Sequence, residues 1–232
     1  ERDPQLVISD LRGFKRDYDN LVSVLTGNVS RKWGKKETKL PGRTSYVKYT
    51  QNYKSRAIVD FDAGTVTVET VDDKDPKNSL KNAIVTTLLT PDDPRAVDLF
   101  SDKSVTLSSA KEPYLLGLVQ DQRGKSIATP AQAESFADYL LEKQATTRKV
   151  DVQEGAKDAL FVTVAMVANF RNKQAEKYRD TVSKYAAQYQ VSPSLVYAVI
   201  RTESNFNPFA VSPAPAYGMM QLVPSSGGRE AY

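Results

Sequence analysis

Apolar residues at Leu6, Val7, Leu11, Phe14, Tyr18, Leu21, Val22 and Leu25 recur at helical spacing. The pattern predicts one helix from Pro4 to about Val29, with Gly27-Asn28 as its stop, long enough to cover a sheet. The period then shortens to two. Tyr46 to Tyr49, Ala57 to Phe61 and Thr65 to Thr70 read as strands of an antiparallel meander, with Asp62-Ala63-Gly64 as the turn between the last two. Leu80, Ala83, Ile84 and Leu88 restore helical spacing over Asn78 to Leu89, Asp92-Asp93-Pro94 opens a short third helix, and Ala159 to Val167 is a returning strand. Residues 1–170 are therefore predicted to be an α+β domain, with helices packed on an antiparallel sheet. After the polar run Phe170 to Lys177, helical spacing returns at Tyr178, Val182, Tyr185, Ala186 and Tyr189 with no further strand pattern, so a second, all-α unit is placed at 171–232. Tyrosines at this spacing pack their rings in the core more often than they stack on sugars.

Composition closes several routes. The chain has no cysteine and no histidine, which excludes disulfides, thiol nucleophiles, the Ser-His-Asp triad and the usual zinc sites. No metal and no cofactor are expected. Asp72-Asp73-Lys74-Asp75 lacks the spacing of a calcium loop and reads as a solvated turn. No apolar window is long enough to span a bilayer. The net charge of +4 includes a cluster of Arg31, Lys32, Lys35, Lys36, Lys39 and Arg43 around Trp33. Without a nucleic-acid fold motif, that cluster reads as a solvated connector and no nucleic-acid partner is expected.

Any chemistry must then rest on a carboxylate, and one has an unusual setting. Ser192 to Ile200 reads as a helix with Ser192 as N-cap and Pro193 in the first turn. Val196, Val199, Ile200 and Glu203 follow the spacing of one face, so Glu203 closes the helix on its apolar stripe and is expected to be buried, as suits an acid that must also return as a base. The turn-forming run Ser204-Asn205-Phe206-Asn207-Pro208 follows. Tyr217-Gly218-Met219-Met220-Gln221 then reads as the start of a second helix facing the first across a polar cleft.

Glu203-Ser204, Asn207-Pro208, Ala210, Ser212 and Gly218-Met219-Met220-Gln221 resemble the signature of the soluble-lytic-transglycosylase, or goose-type lysozyme-like, domain. The residues before it resemble the N-terminal domain of the membrane-bound lytic murein transglycosylase C family. They include Trp33-Gly34, Tyr46-Val47-Lys48-Tyr49-Thr50, Phe61-Asp62, Thr65 to Thr70, Asp92-Asp93-Pro94, Val97 to Asp102 and Lys111-Glu112-Pro113.

The resemblance implies a lysozyme-like catalytic domain of which the first part is present, because the family continues into further helices beyond the segment corresponding to Gln221. On that reading the 232-residue chain alone has little lytic activity. The resemblance also implies cleavage of the MurNAc-GlcNAc bond with formation of a 1,6-anhydro sugar. Glu203 would be the acid and base, and Ser212, Tyr217, Met220 and Gln221 would contact the substrate. Peptidoglycan strands are the implied partner, and the periplasmic face of the outer membrane the implied location, through a lipid anchor that this chain does not carry. Two alternatives stand beside it: a non-catalytic wall-binding module and a hydrolytic lysozyme-like muramidase. The basic cluster fits attraction to the carboxylates of peptide stems.

Overall fold

The computed structural model describes residues 4–108, 110–152, 155–213 and 216–223, with side chains from residue 13 onward except that of Phe14. Five strands form one antiparallel sheet in the order β1-β2-β3-β5-β4: β1 Ser45–Thr50, β2 Ser55–Asp60, β3 Thr65–Thr70, β4 Thr146–Val152 and β5 Gly155–Ala165. The turn before β3 forms where expected. Asp60 accepts from the amides of Asp62 and Ala63, and Gly64 takes a left-handed φ of 69° with the Phe170 ring where a Cβ would stand.

Both faces of the sheet are covered, so β1 is buried along most of its length and its alternate residues serve two cores. On one face, α2 (Pro76–Leu89) and α3 (Pro130–Lys143) pack through Leu80, Ile84, Leu88, Phe136 and Leu140 onto Tyr46, Val59, Val66, Val68 and Val162. On the other, the C-terminal half of α1 (Pro4–Trp33) sets Leu25, Val29 and Trp33 on Val47, Tyr49 and Val150. All three of those helix residues are fully buried, which explains why α1 runs past Gly27-Asn28 to Trp33. The stripe continues at i+4 and i+8, and its burial outweighs the cost of about 1 kcal/mol for a glycine in the helix interior. Leu21, counted in the predicted stripe, is 46% exposed. The side chains of Leu6, Val7, Leu11 and Phe14 lie outside those described.

Three elements appear that the periodicity did not yield: α3, β4 and α4 (Phe170–Lys177), a helix where a polar run was expected. α3 carries a full capping box, in which the Thr129 hydroxyl accepts from the Gln132 amide and the Gln132 side chain accepts from the Thr129 amide. β4 is an edge strand with only Val150 buried, so its alternation is weak. In the acidic run at 72–75, Asp73, Lys74 and Asp75 are exposed as expected of a solvated turn, whereas Asp72 is not. Asp72 has a side chain only 13% exposed and accepts from Lys54 and Ser79, while Asp75 caps α2. Among the described residues no group of acids is arranged to hold a metal ion, and no helix is long and apolar enough to cross a membrane.

Beyond the sheet, α4 (Phe170–Lys177), α5 (Arg179–Gln188) and α6 (Pro193–Ser204) follow in succession. Val182 of α5, Ile200 of α6 and Phe206 form their own small core. Tyr178 stacks on Phe206 and donates to Asp92, whereas Tyr185 and Tyr189 are 48% and 67% exposed, so only the first of the three tyrosines packs inward.

Candidate functional site

The setting of Glu203 is built by α6 and the seven residues after that helix. Pro193 occupies the first turn as predicted; Ser192 stands at the N-cap but its hydroxyl makes no capping bond, and its carbonyl accepts from Leu195 and Val196 instead. Val196 and Ile200 face the small core. The helix closes on Asn205 in the left-handed region (φ 47°), and Phe206 follows with φ 63°. Asparagine tolerates that conformation and phenylalanine does not, so Phe206 is held there by its surroundings, a ring 5% exposed between Tyr178 and Tyr197.

The loop after α6 is fastened to the sheet domain. The Asn205 side chain donates to the Phe61 carbonyl (2.7 Å) and to the Asp62 carboxylate (3.1 Å). Asn207 donates to the carbonyls of Gly42 (3.4 Å) and Arg43 (3.1 Å), and the Val211 amide donates to Gly42 (3.3 Å). Phe209 completes the attachment inside the main core against Tyr46 and Tyr114. The run Ser204 to Asn207, predicted as a polar turn, is buried throughout: the Asn205 and Asn207 side chains reach carbonyls of the sheet domain, and their backbone amides reach the carbonyls of Arg201 and Ser204.

Glu203 itself departs from expectation. Its side chain is 37% exposed rather than buried, and Arg43 Nη1 lies 3.5 Å from its Oε2. The apolar stripe of α6 ends one turn earlier, at Ile200, because Gly42–Arg43 of the segment before β1 comes up against this corner where further apolar packing was expected. By sequence Arg43 belongs to the basic cluster around Trp33, and the fold brings it to Glu203. Nothing local marks it, since the two residues are 160 positions apart in the chain.

The Gly-Met-Met-Gln segment also differs from prediction. It is a tight β-turn and not the opening of a helix: Tyr217 and Leu222 exchange both backbone hydrogen bonds (3.1 Å each), and Gly218 (φ 73°) and Gln221 (φ 48°) supply the left-handed positions. This hairpin pairs back on Val211 through Tyr217, and Gly218 donates to Ala210 (2.9 Å). Four of the predicted residues are thereby brought together on one small framework. Ser212 is half-buried with its amide on Ala216, Tyr217 and Met220 are 39% and 42% exposed, and Gln221 is half-buried. Gln221 donates to the Gly218 carbonyl (2.9 Å), while its Oε1 is buried without a hydrogen-bond partner among the described residues. Desolvation pushes the Tyr217 phenol above its ordinary value. Met219 turns to the small core and Met220 to solvent.

A cavity of about 430 Å³ lies on another side of α6, lined by Arg171, Asn172, Ser194, Tyr197, Arg201 and Phe206. Residues 194, 197, 198 and 201 form one stripe of the helix and Val196, Ile200 and Glu203 another, so this cavity and Glu203 do not share a face. Asp62, the other acid reaching the loop, bonds Asn205, and its carbonyl is held by Arg171 from the cavity lining.

The chain matches two family models: the membrane-bound lytic murein transglycosylase C N-terminal domain over residues 7–177 and the transglycosylase SLT domain over residues 180–232. It is 40% identical over 228 residues to proteins named membrane-bound lytic murein transglycosylase C from Yersinia pestis (strain Pestoides F) and Yersinia pseudotuberculosis serotype O:1b (strain IP 31758). The match covers 98% of this chain and 61% of each relative. With the sheet domain, the helices after it and the Glu203 loop in the order the two models require, the chain belongs to the membrane-bound lytic murein transglycosylase C family.

Proposed function

We propose that this chain forms the N-terminal domain (1–170) and the first part of the catalytic domain (171–232) of a peptidoglycan lytic transglycosylase. One observation carries the reading: a single half-exposed carboxylate, Glu203, stands at the end of α6 where the chain turns toward a hairpin bearing Ser212, Tyr217, Met220 and Gln221. A typical hydrolytic glycosidase uses a second carboxylate across the scissile bond. Among the described residues after α6 there is no further carboxylate, and Asp62 is engaged by Asn205. A single acid suffices when the sugar supplies its own nucleophile.

Glu203 protonates the oxygen bridging N-acetylmuramic acid and N-acetylglucosamine as the bond from that oxygen to C1 breaks. The 2-acetamido carbonyl stabilises the charge at C1. The C6 hydroxyl then attacks C1 and gives its proton to the Glu203 carboxylate, which closes the 1,6-anhydro ring and restores the acid without consuming water. Gln221 Oε1, without a partner among the described residues, suits a sugar hydroxyl or amide, Ser212 suits the acetamido group, and Tyr217 and Met220 give the sugar an amphipathic wall. The substrate is peptidoglycan, and the full-length protein works in the periplasm, tethered to the outer membrane as a lipoprotein.

Mass analysis of digested peptidoglycan tests this. Anhydro-muramyl ends, one water lighter than reducing ends, are expected from the full-length protein and are expected to vanish with Glu203→Gln at unchanged fold. Reducing ends, or turnover surviving Glu203→Gln, would overturn the assignment.

A further inference from the structure

The connector between α1 and β1 carries four basic residues, Lys35, Lys36, Lys39 and Arg43, and one acid, Glu37, and the last turn of α1 adds Arg31 and Lys32. Glu37 faces inward. Its carboxylate accepts from Arg148 (2.8 Å) and Arg56 (3.4 Å), and the Arg148 hydrogen bond holds it below the usual carboxylate range. The one negative charge of the segment is thus committed to two guanidiniums of the sheet. Arg31, Lys35, Lys36, Lys39 and Arg43 are exposed, and among the described residues the three lysines make no salt bridge with an acid. The segment is also fixed in place. Tyr49 bonds the amide and carbonyl of Lys39 (3.0 and 3.1 Å), and Gly42–Arg43 accepts from Asn207 and Val211. Trp33, the aromatic of the cluster, is fully buried under Arg56 with its Nε1 on the Tyr53 carbonyl, so it offers no surface for stacking a base.

What remains is a fixed, positively charged segment whose last basic residue, Arg43, lies against Glu203. The Arg43–Glu203 pair at 3.5 Å, with side chains 52% and 37% exposed, is longer than the 2.7–2.9 Å of a strong charge-assisted bond, so the guanidinium is open to a ligand carboxylate as well. We propose that this connector binds the anionic peptide stems of peptidoglycan, its exposed lysines attracting the stem carboxylates and Arg43 taking the one nearest the sugar, so that the N-terminal domain sets the glycan against Glu203. The inference rests on the transglycosylase reading for its substrate. Its recognition chemistry is separate: cations for carboxylates, placed by one domain beside the acid of the next. Arg43 is here a specificity residue of the site, and the lysines are its approach.

Binding of fluorescein-labelled glycan strands of matched length, with stems or stripped of them, is the test. It is measured by anisotropy in the full-length protein carrying Glu203→Gln, so that turnover does not intervene. Lys35→Gln/Lys36→Gln/Lys39→Gln and, separately, Arg43→Ala are each expected to weaken binding of stem-bearing strands about tenfold, and that of stripped strands less than about threefold. Arg43→Lys is expected to restore most of the preference, and the lysine variant to show a shallower salt dependence. Equal weakening on both strands, or none on either, at unchanged thermal melting would overturn the proposal. Absence of anhydro products from the parent, with stem preference still lost in the variants, would sink the catalytic assignment and leave the connector's role standing.

Discussion

Phe209 meets Tyr114 edge-on, ring centroids 5.2 Å apart and planes at 83°, inside the main core of the sheet domain. Phe209 lies six residues after Glu203 and Tyr114 belongs to the domain before it, so a side chain of the second region fills the interior of the first. With Asn205 and Asn207 bonded to the same domain, the backbone on the C-terminal side of Glu203 takes its position from the sheet.

Phe209→Ala is expected to cost about 3–5 kcal/mol, the range for removing a fully packed ring. Its ring is 3% exposed and also contacts Tyr46 at 5.0 Å. Chemical denaturation should show one transition shifted for the sheet domain and the helices together. A loss below about 1 kcal/mol, or a shift confined to a separate transition of residues 171–232, would contradict the attachment.

Asn207→Ala removes two donors from the carbonyls of Gly42 and Arg43 and the acceptor for the Phe209 amide. Leaving those groups unpaired costs on the order of 1–3 kcal/mol each where water cannot replace the bond. Turnover is expected to fall more steeply than stability alone explains, because the acid and Arg43 lose their common support. A crystal structure of the variant with Arg43 and Glu203 unmoved would refute this.

The apolar periodicity made the sheet, α1, α2 and the returning strand legible because those elements bury one face against a single large core. It missed α3 although Thr129-Pro130-Ala131-Gln132 announces a capped start and Ala133, Phe136, Ala137 and Leu140 keep helical spacing. β4 had no comparable signal. At the site, the framework of Ser212, Tyr217, Met220 and Gln221 was reached through resemblance, whereas its shape was misread. Gly218 and Met219 suit the start of a helix as well as a hairpin, and only the pairing with Val211, a nonlocal contact, decides. Glu203 ends α6 as the spacing predicts, but the burial expected from its stripe does not follow, its side chain being 37% exposed. What occupies the end of that stripe, Arg43, comes from another domain and leaves no trace in local pattern.

Glu69→Gln is expected to cost about 1–3 kcal/mol, because it removes the nearest charge partner of a buried guanidinium and leaves Glu37, at 3.4 Å, as its remaining carboxylate. Arg56 is fully buried and bonds Glu69 at 2.6 Å, with Arg148 on the other oxygen at 2.9 Å. Replacing Arg56 and Glu69 together with Met and Leu should recover much of the loss. Melting of the single and double variants checks the ordering, and a double variant less stable than Glu69→Gln would show that Arg56 contributes chiefly through its stacking on Trp33.

The last expectation concerns acid. Lys54 and Ser79 donate to Asp72 at 2.8 and 2.6 Å, and these bonds, that of Lys54 foremost, hold its carboxyl down at about 2. The folded value lies below the unfolded one, so the unfolded chain binds the proton first as pH falls. The contribution is therefore fully present above about pH 4 and is lost as pH drops through about 2. Discounted for the partly exposed Lys54, it is on the order of 1–2 kcal/mol. Asp72→Asn should accordingly be less stable than the parent at pH 7 by that amount, and the gap should close between pH 4 and pH 2 as the parent loses what the variant never had. The end of β3 and the start of α2 meet at this residue, so hydrogen exchange there should quicken in the variant at neutral pH. A stability gap that stays constant from pH 7 to pH 2 would assign the loss to packing and remove Asp72 from the acid response.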